Sequence, residues 1–72
     1  MSFGNRVRLL RLENCLNQVQ LAKALGTTKQ NIYQIETDKN YPGIKLMIAL
    51  ADFFKVSLDY LFGRTSQRTM NV

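Results

Sequence analysis

Two glutamines four residues apart, Gln30 and Gln34, carry the most specific recognition chemistry in this chain. If Ile32 and Ile35 turn inward on a helix, that spacing puts both amides on the opposite face. Each amide offers a donor and an acceptor side by side, the pattern that pairs with N6 and N7 of adenine. Lys29, Asn31 and Tyr33 flank the pair with a cation, another amide and a phenol, groups able to meet a base edge, a thymine methyl or a phosphate. A polar face that only meets water is the plainer account of the same residues.

Catalytic chemistry has little to work with. The chain has no histidine and one cysteine, Cys15, so it can build neither an imidazole acid or base, nor an internal disulfide, nor a Cys/His zinc site. Paired carboxylates and a phosphate-cradling glycine loop are also missing from the pattern, and no metal or cofactor is expected. Ten basic residues against five acidic ones leave a net charge of +5, which favours an anionic partner such as nucleic acid or an acidic membrane face. The N-terminal residues lack an apolar signal core, and the longest apolar run, 46–51, is far below the ~20 residues of a membrane span. The expected compartment is the cytoplasm, with no membrane attachment.

The elements that must position these groups read as helices. At 72 residues the chain supports one core. Val7 and Leu10 set a helical spacing over residues 6–13. Asn17 with Gln20 fits a capping box for a second helix over 18–25, which Gly26 ends. Thr28 can cap a third over 29–36. After the Tyr41-Pro42-Gly43 break, Ile44, Met47, Leu50, Ala51 and Phe54 recur as one face of a fourth helix. Ser57 can cap a last short helix over 58–62, with Asp59 at its positive end and Gly63 as its stop. The expected fold is all-α, a compact bundle of about five short helices over residues 1–63, followed by a polar tail over 64–72. The expected core is Val7, Leu10, Leu21, Ala22, Leu25, Ile32, Ile35, Ile44, Met47, Leu50, Phe54, Val56 and Leu61.

Two helices across a short glycine turn in a basic domain describe a helix-turn-helix. The string Leu16-Asn17-Gln18-Val19-Gln20-Leu21-Ala22-Lys23-Ala24-Leu25-Gly26-Thr27-Thr28-Lys29-Gln30-Asn31-Ile32-Tyr33-Gln34-Ile35-Glu36 closely resembles the Cro and phage-repressor (XRE) helix-turn-helix family. Pro42 and the segments 44–54 and 56–61 look like that family's later helices. The resemblance implies a lambda-repressor-like domain that binds double-stranded DNA as a transcriptional regulator, a repressor in the first instance. Its third helix would lie in the major groove, and a homodimer would form at least on DNA, over a near-palindromic operator.

It further implies DNA contacts by Thr28, Lys29, Gln30, Asn31, Tyr33 and Gln34. Phosphate contacts would come from Asn17 and Gln18 at the start of the second helix and from Thr37, Lys39 and Asn40 after the third. Asn17 also has the plain role of a cap, and for Lys39 and Asn40 exposure to solvent alone is an equal account. Arg11 and Glu36 occupy positions that in the family often form an ion pair.

The chain departs from that pattern where a glycine commonly ends a helix, because Cys15, Asp38 and Lys55 stand there instead. A side chain at positive φ is strained, so these ends are expected to shift. Leu9 and Leu12 fall where polar residues are usual. They leave open a protein-binding role such as that of an antitoxin, and a restriction-modification controller is a further alternative.

Overall fold

Helix starts in this protein are set by short polar side chains. In the computed structural model, which describes residues 1–68, the elements are α1 (Phe3–Glu13), α2 (Gln18–Leu25), α3 (Lys29–Glu36), α4 (Ile44–Phe54) and α5 (Leu58–Leu61). Ser2, Asn17, Thr28 and Ser57 each accept a hydrogen bond from the backbone N–H three residues on, so four of these helices satisfy one otherwise orphaned donor locally. At α2 the arrangement is reciprocal, because Gln20 Oε1 accepts from the Asn17 N–H while Asn17 Oδ1 accepts from that of Gln20. Gly43 starts α4 without a side-chain cap. The described residues contain these helices and no strand, and none of the helices is long and apolar enough to cross a membrane.

The boundaries expected for α2, α3 and α4 match, and α5 ends one residue early with Phe62 as its C-cap. α1 begins three residues before the expected start. Its extra turn holds Phe3, which is buried, and Gly4, whose poor helix propensity disguises the start. The core joins Phe3, Val7 and Leu10 of α1 to Leu21 and Ala22, Ile32 and Ile35, Leu50 and Ala51, and Tyr60 and Leu61, with Leu25, Met47, Phe54 and Val56 half-buried around it. Ile44, expected in that core, is instead 75% exposed. At 100° per residue the centre of the α4 core face falls near Leu50 and Phe54, which leaves Ile44 at its margin on the first turn. Phe3 and Tyr60 were not in the expected set. Phe3 packs 5.6 Å from the Tyr41 ring, and Tyr60 lies beneath the Arg6 guanidinium at 4.4 Å.

The three helix ends expected to shift do not. Cys15, Asp38 and Lys55 all take left-handed backbone, with φ of 57°, 59° and 56°. The bonds that close each end outweigh the strain: Leu16 N–H donates to the Arg11 carbonyl, Lys39 N–H to that of Gln34, and Val56 N–H to that of Ala51. Asp38 has a further reason to stand there, because its carboxylate accepts from Gly4 N–H at 2.9 Å and from Ser2 Oγ at 2.6 Å, closing the start of α1 from across the fold. Lys55 has no such bond among the described residues. Lys55→Gly is therefore expected to raise stability by about 0.5–1 kcal/mol by removing left-handed strain, whereas Asp38→Gly lowers it by releasing Ser2 and Gly4. Thermal denaturation of both variants checks this, and a melting point lowered by Lys55→Gly would contradict it.

Residues beyond α5 run back over α1. The Ser57 N–H donates to the Arg68 carbonyl, the Thr65 carbonyl accepts from Arg6 Nη1, and the Arg68 guanidinium grips Glu13 through two bonds of 2.7 and 2.8 Å. The hydrogen bond from Arg68 holds the Glu13 carboxyl below its ordinary range. Residues 69–72 of the expected tail lie outside the described residues.

Candidate nucleic-acid interface

Only Gly26, Thr27 and Thr28 join α2 to α3. Gly26 is left-handed, at φ 70° and ψ 33°, which costs glycine nothing, and Thr27 N–H donates to the Ala22 carbonyl. The turn then delivers Thr28 as the exposed cap of α3, its Oγ1 accepting from Asn31 N–H at 3.1 Å. Ile32 and Ile35 are fully buried, and the opposite face carries exposed Lys29, Gln30, Tyr33 and Thr37 and half-buried Gln34. Lys29, Gln30 and Tyr33 line an open groove with Gln18 of α2, so the start of α2 and the outer face of α3 form one continuous surface. A second shallow groove, lined by Arg11, Asn17, Gln18, Val19 and Lys29, continues it around the start of α2.

Not every residue on the expected list is free to face outward. Asn31 is half-buried, and its Nδ2 donates to Thr27 Oγ1 at 2.9 Å, so its amide is already engaged in tightening the turn. Thr37 caps backward, with Oγ1 donating to the Tyr33 carbonyl at 2.8 Å. Lys39 and Asn40 are both exposed, and the N–H of each reaches the Gln34 carbonyl, so the loop begins against the end of α3. Asn17 is exposed, and its cap uses Oδ1 and not the amide nitrogen.

Behind this surface sits a charged cluster. Arg11 Nε donates to Glu36 Oε2 at 2.7 Å and Nη2 to Oε1 at 3.0 Å, while Nη1 donates to the Leu16 carbonyl at 2.9 Å. The pair is buried, with side-chain exposures of 9% and 2%. Gln18 Nε2 adds a bond of 3.2 Å to Glu36 Oε1, a tie that sequence reasoning did not find. One donor hydrogen of that amide remains for an outside partner, so Gln18 faces both the groove and the cluster. Lys45 lines a shallow groove with Gly26 and Thr27 beside the turn.

Two helices locked at a glycine turn, the second presenting a polar face, define the helix-turn-helix class. The chain belongs to the helix-turn-helix family, whose sequence profile matches residues 7–61. It is similar to MJ0272 of Methanocaldococcus jannaschii, an uncharacterized HTH-type transcriptional regulator. The two are 38% identical over 58 residues, covering 81% of this chain and 88% of that protein. It is also similar to the HTH-type transcriptional activator BcrR of Enterococcus faecalis, with 33% identity over 85% of this chain but only 30% of BcrR. Among solved structures, it is similar to the P22 c2 repressor in complex with a synthetic operator. That match has a TM-score of 0.82 and 29% identity, and it covers 86% of this chain and 94% of the repressor chain. The all-α fold expected from the residues, and the lambda-repressor-like domain that the resemblance implied, are what is observed.

Proposed function

We propose that this chain is a DNA-binding transcriptional regulator that lays α3 in the major groove, and that it acts as a repressor. The observation that carries the reading is the outer face of α3. Gln30 and Gln34 stand there opposite a buried Ile32–Ile35 stripe, and Lys29 and Tyr33 stand beside them. The backbone match to a repressor held on operator DNA supports it, as does the net charge of +5. Gln30 and Gln34 are the base readers. Asn17, Gln18 and Thr28 meet phosphates from two helix starts, and Lys39 and Asn40 meet them from beyond α3, whereas the Thr37 hydroxyl is occupied by its bond to the Tyr33 carbonyl. Two copies bind a near-palindromic site with their α3 helices ~34 Å apart. The setting is the cytoplasm, and the role is binding without catalysis.

Gln30→Ala and Gln34→Ala are each expected to weaken the preferred operator by about 1–3 kcal/mol and to relax base choice at one position, with random-sequence affinity almost unchanged. Selection of bound sites from random duplexes, repeated with each variant, measures both effects. A selected sequence that does not change with either glutamine removed would refute the groove-reading role of α3. The selection also separates this reading from the protein-binding one, under which Leu12, exposed on α1, carries function and no duplex is enriched.

A further inference from the structure

The outer face of α3 is polar apart from one aromatic ring, Tyr33, which is 46% exposed. The Lys39 ammonium lies over that ring, 5.4 Å from its centre. Lys39 does not reach it by chance of a long side chain alone, because its backbone N–H is bonded to the Gln34 carbonyl at 2.9 Å, which fixes the root of the side chain against the end of α3. A cation over a ring face is attracted by the ring's quadrupole, and at an exposed site that suffices to weight one ring orientation a few-fold over others. The ring held in this way flanks Gln30 and lines the open groove with Gln18, Lys29 and Gln30.

An exposed ring pointed into a DNA groove needs an apolar partner, and the apolar group that the major groove presents is the 5-methyl of thymine. Resting on the reading of α3 as the groove helix, we propose that Tyr33 reads a thymine methyl at the edge of the site, and that Lys39 is the positioning residue that holds its ring there. The Tyr33 hydroxyl is not needed for this contact; the ring is. Lys39 acts through Tyr33 and touches no base.

Replacing thymine by uracil in the selected operator removes the methyl and leaves every hydrogen-bonding group in place, so a scan of single uracil substitutions isolates the contact. For the wild-type protein one thymine in each half-site is expected to be methyl-sensitive, with uracil weakening binding about fourfold, the worth of one buried methyl. Tyr33→Ala abolishes that sensitivity, and Tyr33→Phe keeps it. Lys39→Ala reduces it and Lys39→Arg restores it, since a guanidinium also sits over a ring face.

A wild-type protein that binds duplexes tightly yet shows no methyl-sensitive position overturns the inference, as does a Tyr33→Ala variant that keeps full sensitivity. A Lys39→Ala variant that loses affinity and salt dependence but retains the wild-type methyl effect leaves Lys39 a phosphate contact alone and removes its positioning role. A wild-type protein that selects no duplex at all defeats the DNA reading itself and this inference with it. The outcomes therefore distinguish the two failures.

Discussion

Glu36→Ala is expected to destabilise the domain by about 3–5 kcal/mol, because it strands the Arg11 guanidinium in a buried site with two of its bonds gone. Domains of this size hold roughly 0.05–0.15 kcal/mol per residue, so a loss of that order removes much of the total. The size of the effect reflects an uncompensated charge more than the net worth of the pair. The double replacement Arg11→Met with Glu36→Leu, which removes both charges and keeps volume, should therefore recover most of the loss. Urea denaturation of the single and double variants makes the comparison directly. If the double variant were no more stable than Glu36→Ala, the cost would lie in lost packing or in the released Gln18 and Leu16 contacts.

The second large effect has the opposite sign from what helix propensity suggests. Alanine is the better helix former by about 1 kcal/mol, and Gly4 sits inside the first turn of α1. A Cβ at that position would collide with the Ile35 carbonyl and lie 2.7 Å from both the Glu36 carbonyl and Asp38 Oδ1. Two of these obstacles are backbone atoms, which no rotamer change relieves. Gly4→Ala is thus expected to push α1 away from the end of α3 at a net cost of about 2–3 kcal/mol, a fall in melting temperature of roughly 10–20 °C for a domain this small. Calorimetry reads the sign without ambiguity. A variant as stable as the parent would mean that α1 does not approach the end of α3 this closely.

Most of the helical layout was legible because local chemistry states it. Asn17, Thr28 and Ser57 cap where such residues should, Gly26 turns where a glycine turns, and the Ile32–Ile35 spacing identifies the buried side of α3. The misreadings share a different cause. Ile44 is apolar but lies at the margin of the α4 face, and whether a marginal position on the first turn of that helix is covered depends on neighbours far away in sequence. Cys15, Asp38 and Lys55 were expected to avoid the left-handed region on steric grounds, and the closing bonds of the helix ends decided otherwise.

At the candidate site the identities of the groups on the α3 face were readable, but their prior engagements were not. Asn31 is already bonded to Thr27 and Gln18 to Glu36, through contacts that form only once the turn has closed and α3 has packed against α2. Asp38 held one unused clue: among side chains that tolerate positive φ, aspartate alone brings a full negative charge for a distant helix start.

The clasp that joins α1 to the end of α3 has a consequence for the thermodynamics of docking. Asp38 holds one end of α1 and Glu36 grips it again at Arg11, so the backbone of α3 is immobilised from behind before anything meets its outer face. A helix held in this way has little backbone entropy left to surrender on contact. What remains to be ordered is a handful of long side chains, Lys29, Gln30 and Gln34 among them, at about 0.5–1.5 kcal/mol each. Tyr33, with its ring already loaded by Lys39, adds less than its size suggests. The entropic toll of association therefore falls on side chains rather than on the fold, and loosening the clasp would raise it without changing a single group on the contacting surface.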